Sequence, residues 1–211
     1  MLTSGPIRVG IASVGTILAL VTPGAHASTP TDELRGHVDQ VIKILQRPDL
    51  QGDDKTTERR AAVRKVANDI FDFPETAKRS LGRHWQARTP AEREEFTRLF
   101  ADLVEHAYIS KIDRYSGENV SYIGESVEGD QATVRTTIRT KQASQVPVDY
   151  RMLRQGGGWR VYDVVIEGVS LTANYRTQFN KIIQTASYED LVAKLKAKEL
   201  SAPQGGKGKS S

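Results

Sequence analysis

Residues 119–139 read NVSYIGESVEGDQATVRTTIR. Within them Ala132, Val134, Thr136 and Ile138 alternate with Thr133, Arg135, Thr137 and Arg139, the period of a strand with one apolar and one polar face. A matching strand runs from Val120 to Val127, and Glu128-Gly129-Asp130 between the two supplies turn residues. The pattern continues downstream. Val146 to Leu153 carries Val148, Tyr150 and Met152 on one side, Gly156-Gly157-Gly158 is the next turn, and Trp159 to Glu167 is a fourth strand. Links this short make neighbours antiparallel, so residues 119–168 predict a four-stranded meander with one face in need of cover.

The cover comes from both sides of the sheet in sequence. Upstream, Leu34, Val38, Val41, Ile42 and Leu45 recur at helical spacing until Arg47-Pro48 stops them, and Ala62, Val66 and Ile70 form a second apolar stripe. Asp72 is placed to cap a short helix with Pro74 in its first turn, which ends at Leu81-Gly82. Thr89-Pro90-Ala91-Glu92 is a capping box that opens the longest helix, striped by Phe96, Leu99, Phe100, Leu103 and Ala107. Downstream, Gly168 closes the sheet, Leu171 to Ile183 is helical, and Ser187 caps a last helix bearing Leu191 and Leu195. Helices, a four-stranded antiparallel sheet and helices again give an α+β fold.

The chain has 211 residues, no cysteine and a net charge of +4. That length suits one domain, and the missing thiols exclude disulfides, cysteine zinc sites and a thiol nucleophile. The positive charge sits at the ends. Arg8, Lys207 and Lys209 carry three of the four charges, which leaves residues 28–200 at +1. No basic face of the kind nucleic acid requires follows from that balance, so nucleic acid is not an expected partner. Arg8, the apolar run Ile11 to Val21 and Ala25-His26-Ala27 read as a signal peptide cut after Ala27. Residues 28–200 are then a single domain, and residues 201–211, SAPQGGKGKSS, a disordered basic tail.

Chemistry is sparse. His37, His84 and His106 have no metal-ligand spacing, and Gly156 to Gly158 precede a strand, where a phosphate loop would need a helix. The enzyme-like features are Asp149-Tyr150 and Tyr162-Asp163. By alternation Asp149 points to solvent, whereas Asp163 shares a face with Trp159, Val161 and Val165. A cavity enzyme would use Asp163 as a base beside Tyr162 or Tyr150. A structurally bonded aspartate explains the same pattern, as does a non-catalytic envelope adaptor with a filled core.

Two blocks of residues go further. Phe71-Asp72-Phe73, Ala77, Leu81-Gly82-Arg83-His84-Trp85, Thr89-Pro90, Arg93, Phe96 and Leu99-Phe100 resemble the MlaC family, periplasmic phospholipid-binding proteins also called toluene-tolerance auxiliary components. Trp159, Tyr162-Asp163-Val164, Ile166-Glu167-Gly168-Val169-Ser170-Leu171, Asn174-Tyr175-Arg176 and Phe179 form the second block, in the expected order. Pro74 and Thr76 depart from the pattern. The resemblance implies a non-enzymatic carrier whose helices and sheet enclose a hydrophobic cavity, with a phospholipid as cargo and no cofactor. It implies an outer-membrane lipoprotein complex and an inner-membrane ABC transporter with an MCE-domain subunit as partners. A similar branch is associated with hopanoids, which keeps that cargo open.

Lipid transport through water needs an apolar hollow. Exposed tails cost ~0.8 kcal/mol per methylene, on the order of 20 kcal/mol for about 28 methylenes. The expected wall residues are Phe73, Ala77, Leu81, Trp85, Phe96, Phe100 and Leu103 from helices. The sheet would add Val134, Ile138, Val148, Tyr150, Val161 and Val165. Arg114 and Tyr115 at the end of the long helix are candidates to meet a phosphate.

Overall fold

The computed structural model describes residues 28–113, 115, 117–141 and 143–200. The signal-peptide and basic-tail segments and Arg114 lie outside the described residues. Helices α1 (Pro30–Gln46), α2 (Thr56–Ile70), α3 (Phe73–Leu81) and α4 (Pro90–Asp113) come first. Strands β1 (Asn119–Glu128), β2 (Gln131–Arg139), β3 (Gln145–Gln155), β4 (Gly158–Ile166) and β5 (Val169–Ser170) follow, then α5 (Leu171–Thr185) and α6 (Tyr188–Lys196). The five strands lie in sequence order in one antiparallel sheet.

The helix boundaries follow from the capping residues. Asp72 Oδ1 accepts from Glu75 N at 2.9 Å, and Ser187 Oγ from Asp190 N at 3.0 Å. The reciprocal capping box is formed: Glu92 N donates to Thr89 Oγ1 at 3.3 Å and Thr89 N to Glu92 Oε2 at 2.7 Å. That backbone donor holds the Glu92 carboxyl below its ordinary range. Gly82 ends α3 at φ +59, and a Cβ there would lie 2.9 Å from Arg176 Cδ. Glycine therefore serves both the left-handed turn and the close approach of α5.

The sheet has one strand more than the four expected. Glu167 and Gly168 both take positive φ, +50 and +81, the geometry of a two-residue hairpin turn. The chain thereby reverses and pairs Val169 with Ile166 and Ser170 with Val165 before Ser170 caps α5. Two residues of pairing leave no periodic signal in a sequence.

A second difference changes which residues share a face. Arg151 pairs with Asp163 but Met152 pairs with Val161, so Tyr162 is an extra residue in a bulge. Trp159 and Val161 share the face of Met152, and after the bulge it is Val164 and Ile166 that continue it, opposite Tyr150 and Val148. Asp163 and Val165 are on the other face. The expectation that Asp163 shares a face with Trp159 and Val161 is corrected by this single inserted residue. The bulge sits where the α2–α3 junction docks: Phe71 bridges Val161, and Asp72 N donates to Val161 O at 2.8 Å.

Candidate functional site

The buried side chains form two separate clusters. One is entirely helical and joins Ala77 and Leu81 of α3, Phe96, Leu99, Phe100 and Leu103 of α4, Tyr175 and Phe179 of α5, and Leu191 and Leu195 of α6. Its centre is an aromatic lattice. Phe96 and Phe100 stack at 6.1 Å, and Phe179 meets both edge-on at 5.7 Å. The other cluster packs α1 and the end of α2 on the sheet through Leu34, Ile70, Ala132, Val134, Met152, Trp159 and Val161.

The thirteen expected wall residues divide between them. Ala77, Leu81, Phe96, Phe100 and Leu103 belong to the helical cluster, with Trp85 half-buried at its margin. Val134 and Val161 belong to the sheet cluster, with Tyr150 at its margin. Phe73 stacks on Phe71 at 5.7 Å. Val148, Val165 and the half-buried Ile138 fall in neither cluster, and Val165 faces away from the others. One hollow shared by all thirteen is not what the structure brings together.

Along the sheet face that carries the second cluster, one stretch is only partly covered apart from the buried Val148. On the sheet it consists of Ile138, Val148, Tyr150, Val164 and Ile166. Helix α4, about 36 Å long, packs mainly on α3 and α6 and makes at most marginal contact with the sheet. In its second half Val104 and Tyr108 are half-buried and pack against the helical cluster. Tyr150 is the telling residue. It keeps solvent-accessible surface, yet burial pushes its phenol up to about 12. The ring is half-buried and packs at the margin of the sheet cluster.

Other tyrosines repeat the theme. Burial, with Asp39 adding to it, pushes Tyr122 up to about 12, and its hydroxyl is buried without a hydrogen-bond partner. Tyr175 is fully buried, its hydroxyl also lacks a partner, and burial raises its pKa far above the ordinary range. Tyr108 beside it is raised by burial too. Tyr122, Val164 and Tyr108 are candidate contacts that the sequence reading does not name. Alternation along β1 could have found Tyr122, but the bulge hid Val164.

Two concavities stand out on the surface. One, of about 340 Å³, lies between α1 and β1 and is lined by Val38, Ile42, Val120 and Tyr122, with Tyr115 and Glu118 at its rim. Tyr115 donates to Glu118 O at 3.4 Å. The other, of about 260 Å³, lies between α4 and α6. Ligand pockets for drug-sized molecules run to about 300–1,000 Å³, so neither holds two acyl chains without opening further.

The acid-tyrosine pairs have a different use. Asp163 is buried and its carboxylate accepts from Ser170 Oγ at 2.6 Å, Thr172 N at 3.0 Å and Arg151 Nη1 at 3.1 Å. These bonds pin β4 to the start of α5. Tyr150 is on the opposite face of the sheet, so the two cannot act together. The Tyr162 ring lies under the Arg79 guanidinium at 3.9 Å. His84 Nε2 lies 3.0 Å from Asn180 Oδ1. Among the described residues no group of three His, Asp or Glu side chains is placed to hold a metal ion. Nor is any described helix long and apolar enough to cross a membrane.

Comparison with known proteins places this arrangement. The family described as MlaC protein matches residues 35–197. The chain belongs to the MlaC family. The intermembrane phospholipid transport system binding protein MlaC of Haemophilus influenzae is 25% identical over 138 residues, covering 62% of this chain and 64% of that protein. The chain thus spans a little under two thirds of that relative's length. The toluene tolerance protein ttg2D of Pseudomonas putida is 20% identical over 160 residues, 75% of this chain and 74% of that protein. A solved phospholipid-binding protein from Ralstonia solanacearum, in complex with a phospholipid, superposes with a TM-score of 0.71 at 25% identity. That match covers 81% of this chain and 97% of the Ralstonia chain. The MlaC fold is therefore α+β with the helices and antiparallel sheet described above.

Proposed function

We propose that this MlaC-family protein is a periplasmic carrier that holds phospholipid acyl chains in an apolar interior and shuttles the lipid between outer and inner membranes. The observation that carries the reading is the superposition over most of both chains on a protein solved with a phospholipid bound. The physical features agree with it. The sheet offers aliphatic and aromatic wall residues in Ile138, Val148, Tyr150 and Val164, and the second half of α4 offers Val104 and Tyr108. Chains held there are removed from water at ~0.8 kcal/mol per methylene, which offsets the cost of opening space between helices and sheet. The groove between α1 and β1 is lined by Tyr122, which lies with Tyr150 and Val164 at the margin of the sheet cluster, and is the proposed mouth where a headgroup stays wet. Of the expected wall residues, Ile138, Val148 and Tyr150 are kept as lipid contacts. Phe96, Phe100, Val134 and Val161 are assigned to the packing of the two clusters.

A carrier of this kind acts between donor and acceptor assemblies, for which an outer-membrane lipoprotein complex and an inner-membrane ABC transporter with an MCE-domain subunit are the proposed partners. The reading needs no catalytic group, and Asp163 is fully engaged in holding α5. Export with cleavage after Ala27 belongs to the same proposal. The test is native mass spectrometry of the protein purified from a bacterial periplasm without detergent, followed by lipid extraction. One diacyl lipid per chain is expected, and its class separates phospholipid from hopanoid. A ligand-free mass that persists after incubation with phospholipid vesicles would sink the proposal.

A further inference from the structure

The concavity between α4 and α6 lies away from the strip assigned to the cargo. Its floor is Leu99, Leu103, Leu195 and Leu200, and its rim carries Arg98, His106, Lys196 and Lys198 against one carboxylate, Asp102. Lys196 is paired with Glu95 at 2.8 Å, whereas Arg98 and Lys198 form no ion pair or side-chain hydrogen bond among the described residues. Lys198 is held in an unusual way. It follows the last turn of α6 at φ +57, with its N–H on Leu195 O at 3.1 Å, the position where glycine ordinarily ends a helix. A lysine there accepts backbone strain that glycine would avoid, and places its cation over an apolar floor.

From this geometry we infer that the α4–α6 groove is a second binding site, for a single-chain anionic amphiphile: one alkyl chain on the leucine floor and a carboxylate or phosphate between Arg98 and Lys198. The volume of about 260 Å³ suits one chain and excludes two. Residues 201–211 carry Lys207 and Lys209 and no acidic side chain, so their side-chain charge has the same sign as the rim and does not complement it. Free fatty acid and lysophospholipid share the required chemistry and are the two sources of such a ligand.

The test is titration of the protein with dodecanoate and with a lysophosphatidylglycerol, both below their micellar concentrations, followed by amide NMR and calorimetry. Monododecanoylglycerol serves as the uncharged control and inorganic phosphate as the head alone. The expected shifts centre on Leu99, Leu103 and Leu195, with Val148 and Tyr150 unmoved, and with the uncharged control binding about tenfold more weakly. Tighter binding of dodecanoate assigns the fatty acid as source, and tighter binding of the phosphate ester assigns the lysolipid. The double variant Arg98→Gln, Lys198→Gly touches exposed side chains, and glycine suits the backbone at 198. It should fold normally and bind both anions about tenfold more weakly. Equal binding of the uncharged control, unchanged binding by the double variant, equal binding of phosphate alone, or shifts confined to the sheet would each overturn the inference.

Discussion

Replacing Asp163 by alanine separates a structural aspartate from a functional one. The side chain is 1% exposed and accepts three hydrogen bonds. Alanine leaves the Thr172 N–H buried without an acceptor, which costs about 1–3 kcal/mol. The Ser170 hydroxyl retains Ala173 N at 3.1 Å and Thr172 Oγ1 at 3.2 Å as neighbours, so its lost bond counts for about 1 kcal/mol. Arg151 is 46% exposed, and its share is discounted to well under about 1 kcal/mol by solvent. The expected loss is about 3 kcal/mol. With a urea slope of about 2 kcal/mol/M this lowers the unfolding midpoint by about 1.5 M. An asparagine side chain in the same place would keep an oxygen for Thr172 N and offer its NH₂ to Ser170, so Asp163→Asn should cost only about 1 kcal/mol. Urea melts followed by circular dichroism measure both, and lipid content after purification measures function. A midpoint shift below about 0.5 M for Asp163→Ala would refute the structural assignment. Loss of cargo in a stably folded Asp163→Asn would point back to a working acid.

Three further outcomes are expected. Of the seven tyrosines, Tyr122, Tyr150 and Tyr188 should titrate near 12 in the folded protein and near 10 in denaturant, read by absorbance at 295 nm. Because the fold favours the protonated phenol, the tyrosine contribution to stability should be constant below pH 10 and be lost between about pH 10 and 12; a folded protein in which all seven titrate near 10 contradicts the burial described. Val148→Trp should fill the proposed lipid strip on the sheet and lower bound lipid several-fold, at a stability cost of about 1–3 kcal/mol; full lipid occupancy in a folded variant would place the chains elsewhere. Gly82→Ala, at φ +59 with Arg176 in the way, should cost about 1–3 kcal/mol in a thermal or urea melt, and a neutral result would show that α5 yields there.

Much of this fold was legible because its elements carry strong local signals. Thr89 to Glu92, Asp72 and Ser187 marked helix starts by chemistry that acts over three residues, and the alternation from Ala132 to Ile138 survived intact as a buried face. The failures are longer in range. A period of two assumes an unbroken ladder, and the single extra residue at Tyr162 reversed the faces of Asp163 and Val165. β5 was invisible because two paired residues make no pattern. The wall residues were chosen as the apolar stripes of helices and strands, which is also the signature of plain core. Only tertiary packing shows that Phe96 and Phe100 are enclosed by Tyr175 and Phe179, while Tyr150 is half-buried at the margin of the sheet cluster.

The carrier reading rests on where acyl chains sit, and photo-crosslinking reads that directly. The protein would be loaded from vesicles of a phospholipid with a diazirine near the end of one acyl chain, irradiated, digested and mapped by mass spectrometry. Adducts on Ile138, Val148, Tyr150 or Val164 and on Val104 or Tyr108 are the expected result, since these are the proposed lipid contacts. Adducts confined to the α4–α6 groove or to exposed surface, or a loaded protein with none in the interior, would contradict it.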